Sequence, residues 1–123
     1  MNYKDLVGKV IHRIKEDESY IAFISDDDIE FRISKFEPYC VCYVGEYIDE
    51  ITQNGTCFGV ITNIETNIEE DDTDKFGYDY VYKGNVTFYF ENGKLNMNVH
   101  GEDNGFYGVR LTMPVEIIKG KSE

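Results

Sequence analysis

The stretch Val86-Thr87-Phe88-Tyr89-Phe90-Glu91-Asn92-Gly93-Lys94-Leu95-Asn96-Met97-Asn98-Val99 decides the fold class. Apolar side chains recur every second residue on both sides of Asn92-Gly93, the period of half-buried strands, whereas a helix would repeat them every three to four. Asn-Gly between two such runs is a strong short-range hairpin signal, because both residues tolerate the positive φ that tight hairpin turns demand. The expectation is a hairpin with Val86, Phe88 and Phe90 meeting Leu95, Met97 and Val99 on the core side.

Working outward, the same period continues. From Lys9 to Lys15 alternation sets Val10, His12 and Ile14 on one face, read as the core face, against Lys9, Ile11, Arg13 and Lys15. Tyr20–Ile24 and Ile29–Ile33 flank Ser25-Asp26-Asp27-Asp28 and read as a second hairpin. Tyr39–Val44 is a short apolar run, Glu46–Ile51 reads as one or two helical turns ended by Asn54-Gly55, and Cys57–Ile64 resumes strand character. The segment 65–79 is dense in carboxylates and reads as an exposed acidic loop. A glycine-rich connection over 101–108 leads to two last strands, Val109–Met113 and Val115–Ile118. The pattern predicts a mainly β fold with β-rich α+β character. It takes the form of a twisted antiparallel sheet or open barrel of about seven or eight strands with at most one short helix. The 123 residues, with neither repeat nor linker, read as a single domain over 1–123.

With 24 acidic against 12 basic residues the formal charge is -12. Such a field repels phosphate backbones and anionic lipids, which argues against direct nucleic-acid or membrane binding, and it favours encounter with a basic protein surface. No run approaches the roughly 18 to 20 apolar residues that cross a bilayer, and the polar start Met1-Asn2-Tyr3-Lys4-Asp5 lacks a signal-peptide pattern, so a cytoplasmic location is expected.

Leu6-Val7-Gly8-Lys9-Val10-Ile11, Cys40 with Val44, Thr87-Phe88-Tyr89, and Gly101-Glu102-Asp103-Asn104-Gly105-Phe106-Tyr107 together resemble a family of small phage and prophage proteins of unknown function. Where that family has adjacent Cys-Cys-Glu, this chain has Cys40-Val41-Cys42. Small acidic phage proteins of this look include inhibitors of bacterial defence nucleases, among them anti-CRISPR proteins against Cas9-type effectors. The resemblance therefore implies a phage-type inhibitor acting in the host cytoplasm.

An odd count of 3 cysteines in a reducing compartment points to free thiols or metal ligands rather than disulfides. Cys40, Cys42 and Cys57 with His100, or with His12 as the alternative fourth ligand, make a candidate structural zinc set, since zinc favours four thiolate and imidazole ligands. Against it, the chain has no C-x-x-C pair, free cysteines commonly behave as small buried hydrophobes, and His100 falls on the polar side with Asn96 and Asn98.

For partner binding the candidates are Glu69, Glu70, Asp71, Asp72 and Asp74 with Asp26, Asp27 and Asp28, joined by Tyr78 and Tyr80 as aromatic anchors. Neither a G-x-S-x-G elbow, an H-E-x-x-H helix nor a phosphate loop is present in the sequence, so binding is favoured over enzyme activity. The leading expectation is an inhibitor that blocks target DNA engagement by a CRISPR effector nuclease through an acidic surface. The alternatives are a zinc-stabilised phage accessory protein and a small-ligand binding domain.

Overall fold

The computed structural model describes residues 1–40, 44–71, 80–103 and 113–119. Among them the only helical element is a 3-10 turn, Tyr3–Leu6, opened by Asn2, whose side chain accepts from Lys4 N while Asp5 accepts back from Asn2 N. Everything else regular is strand: β1 (Val10–Glu16), β2 (Tyr20–Ser25), β3 (Ile29–Ser34), β4 (Phe36–Cys40), β5 (Val44–Asp71), β6 (Tyr80–Asp103) and β7 (Val115–Lys119). All named pairings are antiparallel, in the order β4-β5-β1-β2-β3-β7 with β6 on β5, and among the described residues the order does not close. The mainly β, open antiparallel architecture agrees with the alternation of the sequence.

The longest strands are not straight. Nine residues of extended chain from Thr87 to Asn96 would span about 30 Å, yet Thr87 Oγ1 donates to Asn96 Oδ1 at 3.0 Å. β6 therefore doubles back about Asn92-Gly93, the hairpin the sequence pattern requires, and all of Val86, Phe88, Phe90, Leu95, Met97 and Val99 are buried. β5 follows it round the outside: Gly45–Thr56 pair with Asn92–Glu102, and Ile61–Asp71 with Val81–Phe90. The longer outer path is taken up by the register shift between Thr56 and Ile61, where Gly55 and Gly59 have φ of 74° and 94°. The two Asn-Gly steps thus nest tip to tip, Gly55 opposite Gly93. A Cβ on Gly93 would lie 2.5 Å from both the backbone N and O of Thr56, so only glycine fits the inner turn.

Three sequence expectations need correction. Glu46–Ile51 is strand, not helix, because its alternating Glu46, Ile48 and partly buried Ile51 have the pairing edge of β6 available. Glu65–Asp71, expected within the loop 65–79, continues β5, where Val81–Thr87 pair with it; Ile64 and Ile68 supply the apolar alternation that the carboxylates mask. In β1 the inward residues are Ile11, 1% exposed, and the partly buried Ile14, while Val10 and His12 face solvent. The pairing with β2 shifts between Ile11 and Arg13, so His12 is the extra residue of a bulge. The facing read from sequence is reversed before it, at Val10 and Ile11, and restored after it, where Ile14 packs against the core as expected.

The β2–β3 hairpin is present as expected, turning through Asp26–Asp28 with Asp28 at φ 59°. At its other end Lys35 alone separates β3 from β4 and carries the chain from one sheet region to the other. Its N–H donates to Ser19 O at 2.9 Å and its carbonyl accepts from Ile48 N at 2.7 Å. One core joins both regions: Phe88 of β6 packs on Phe23 of β2 with ring centroids 4.9 Å apart, and Tyr3 meets its edge at 6.5 Å.

Candidate functional site

The Lys35 corner positions the most site-like constellation among the described residues. Register places Phe36 of β4 opposite Tyr47 of β5, and Tyr47 opposite His100 of β6, so one side chain from each of three adjacent strands forms a row across the sheet. Residues flanking Tyr47 and His100, namely Glu46, Ile48, Val99 and Gly101, are buried, which puts the row on the outward face. The rings form a continuous stack. Phe36 and Tyr47 have centroids 4.8 Å apart, and Tyr47 and His100 lie 4.5 Å apart and 9° from parallel. Phe36 remains 48% exposed.

Asp49 completes the row. It is the extra residue in the register shift between Ile48 and Glu50, a bulge that aims its carboxylate at His100, whose Nδ1 lies 2.6 Å from Asp49 Oδ2. That contact orients the imidazole against the Tyr47 ring.

Beside the row opens a shallow cleft of about 690 Å³ lined by Glu18, Ser19, Ser34, Lys35, Phe36, Ile48 and Asp49. Its rim is the β1–β2 turn, where Asp17 accepts from Ser19 N, Ser19 Oγ and Tyr20 N at 2.7, 2.9 and 3.1 Å. Those hydrogen bonds, the Ser19 N–H first among them, hold the Asp17 carboxyl below its ordinary pKa. Lys35 Nζ is held by Glu16 Oε2 at 2.8 Å, so the one lysine of the cleft is already paired. Glu18, exposed, and Asp49 leave the lining negative.

Elsewhere the structure separates what the sequence grouped. Cys57 is buried at the nested turns, its Sγ 3.3 Å from Lys94 O, and burial pushes its thiol pKa up. His100 lies six residues along the same arm of β6 from Lys94, about 20 Å of extended strand away. His12, in its bulge next to the Ile11–Gly59 pair, belongs to the Cys57 end, and Cys40, paired with Val44, to the His100 end. Cys42 lies outside the described residues, and among those described no three His, Cys, Asp or Glu side chains gather as a metal site.

The acidic candidates are likewise spread. Asp26, Asp27 and Asp28 are exposed at the far end of β2 from the cleft. Glu69 is exposed on β5, Glu70 and Asp71 continue that strand and Tyr80 opens β6, while Asp72, Asp74 and Tyr78 lie outside the described residues. Phe36, Tyr47, Asp49 and Glu18 were not legible as a site in the sequence. The signal was Tyr47-x-Asp49, two outward positions of a strand, hidden once the segment was read as helix.

No helix among the described residues is long and apolar enough to cross a membrane. The open antiparallel fold is that of a small, mainly β protein with an outward aromatic row. The chain belongs to the family described as a domain of unknown function, DUF7448, whose model matches residues 4–113. Comparison with curated proteins and with solved structures finds no match.

Proposed function

We propose that this chain is a non-catalytic binding protein that engages a basic partner through its acidic surface. The observation that carries the reading is the carboxylate-rimmed cleft of Glu18 and Asp49 beside the outward row of Phe36, Tyr47 and His100. Aromatic side chains give large contact area at low entropic cost, and surrounding carboxylates select positive partners and speed the encounter. The formal charge of -12 extends that preference over the whole molecule. In its finer form the partner is a nucleic-acid-handling protein of a phage host, a CRISPR effector nuclease of the Cas9 type. Its cationic channel is blocked against target DNA by the acidic surface.

The test is co-purification of the tagged full chain with such a nuclease, alongside a DNA-cleavage assay, over a salt series. Capture that weakens as salt rises, with inhibited cleavage, is the expected result. Capture without inhibition keeps the basic-partner reading and removes the nuclease-inhibitor form. Absence of capture at low salt by this nuclease and by a panel of basic proteins removes both.

A further inference from the structure

We infer that the cleft at the Lys35 corner is an arginine-recognition site, taking the guanidinium of a partner's exposed segment between the Phe36 ring and the carboxylates of Glu18 and Asp49. The inference rests on the binding reading above and names the side-chain chemistry that reading leaves open.

Three observations converge on it. The cleft has an aromatic wall, Phe36, whose ring is backed by Tyr47 at 4.8 Å and so is held in place while 48% of the residue stays exposed. A planar cation gains from stacking on such a face, and arginine does so better than lysine because its guanidinium is flat and weakly hydrated. The same cleft is lined by carboxylates on two different elements. Glu18 sits on the β1–β2 turn that Asp17 fastens, and Asp49 in the β5 bulge that His100 fastens at 2.6 Å. Acceptors held from two sides suit the forked donors of a guanidinium. The ionisable side chains lining the cleft favour a cation: Glu18 and Asp49 against Lys35, which Glu16 holds at 2.8 Å. An anionic ligand would meet Glu18 and the Asp49 oxygen that His100 does not hold, beside a lysine already engaged by Glu16.

The molecule uses this chemistry within its own sheet. Arg32 lies over the Tyr20 ring at 4.0 Å from its centroid while its Nε donates to Glu30 at 2.8 Å. That internal arrangement has the same ring, guanidinium and carboxylate, with all three parts supplied by the chain. At the corner cleft the ring and the carboxylates are present on the chain, and the guanidinium is the part a partner brings.

The experiment measures anisotropy of two labelled peptides of equal charge, one with arginine and one with lysine at the same exposed positions, titrated with the full chain. Variants are Phe36→Ala, Phe36→Tyr and Glu18→Gln with Asp49→Asn, each checked for an unchanged circular dichroism spectrum and melting temperature. The expected result is about tenfold tighter binding of the arginine peptide, a preference lost in Phe36→Ala and kept in Phe36→Tyr. The double carboxylate variant should weaken the arginine peptide by about tenfold or more and flatten its salt dependence. Equal binding of both peptides, or a preference that survives Phe36→Ala, overturns the arginine site. If the basic nuclease or another basic protein is still captured in that case, the broader reading stands without it. Failure of both peptides and of every basic protein overturns both.

Discussion

Tyr47 and Ile48 are consecutive in β5 and face opposite sides of one sheet, and the two sides obey different rules. Ile48 is 8% exposed and belongs to the core with Val99, Met97 and Phe88, where close packing decides everything. Tyr47 belongs to an outward stack held by ring contacts, one bulge and a carboxylate hydrogen bond. The inward side specifies the fold, and the outward side carries the row on which the proposed binding site is built.

The largest effect should therefore come from the inward side. Phe88 is fully buried between Phe23 and Tyr3, so Phe88→Ala leaves a cavity that joins both sheet regions and should destabilise by about 3–5 kcal/mol in urea unfolding. A loss below about 1 kcal/mol would mean that the region repacks freely and that the contrast between the sides is false.

Next comes the nested turn. In Gly93→Ala the new methyl meets the Thr56 backbone, which no rotamer change relieves, whereas Gly8→Ala at φ 90° meets no atom within 4 Å and carries only the conformational cost. Gly93→Ala should cost about 2–3 kcal/mol and Gly8→Ala about 1–2 kcal/mol, read from thermal unfolding of both variants. The reverse order would show that the two Asn-Gly tips are not in contact.

A third measurement follows Cys57, on the inward side of the same turn. With its thiol buried and its pKa pushed up by desolvation, it should resist alkylation at neutral pH in the folded protein and react once denatured, as mass spectrometry of the two states would read. Rapid labelling of the native chain at Cys57 would place it on the surface.

The contrast also explains what the sequence disclosed. The core of β6 was legible because Val86, Phe88, Phe90, Leu95, Met97 and Val99 alternate around Asn92-Gly93 without interruption. The second Asn-Gly, at Asn54-Gly55, gave the right turn chemistry but the wrong neighbours. A turn that wraps another turn is a tertiary fact, and nothing local in Glu46–Ile51 says that a β6 arm is waiting to pair with it. Bulges did the remaining damage. One at His12 put Ile11 rather than Val10 and His12 on the core side while leaving Ile14 there, and one at Asp49 built the His100 contact, yet a bulge is a register shift that needs both strands to be seen. The site was missed because its parts come from the β1–β2 turn, β4, β5 and β6. The acidic runs that were noticed, Asp26–Asp28 and Glu69, lie elsewhere on the surface.

On the outward side Phe36→Ala should change stability by no more than about 0.5 kcal/mol, since the ring is half exposed and its removal opens no cavity. Measured beside Phe88→Ala, it sharpens the comparison directly. A loss comparable to Phe88→Ala would make the aromatic row part of the structural core rather than an outward binding surface.

The smallest effect concerns the rim. Asp17 is fully exposed, and its carboxylate caps Ser19 and Tyr20, which keeps its folded pKa below the unfolded one. A depressed carboxyl pKa contributes stability that is present above the unfolded value and is lost as pH falls through the folded value. The native chain and Asp17→Ala should thus differ slightly near neutral pH, and the charge-dependent part of that difference should fade on acidification and vanish once Asp17 is protonated in both the folded and unfolded states. Urea midpoints of the two proteins at neutral and acid pH would read it. The direction matters for the cleft. If the turn is fastened by the ionised carboxylate, then arginine-peptide binding in the native chain should weaken on acidification as Asp17 takes up its proton and the turn carrying Glu18 loosens, while the Phe88 core stays packed. A midpoint difference that grows toward acid would mean the turn is held by something other than this carboxylate, and Glu18 would lose the anchor that aims it into the cleft.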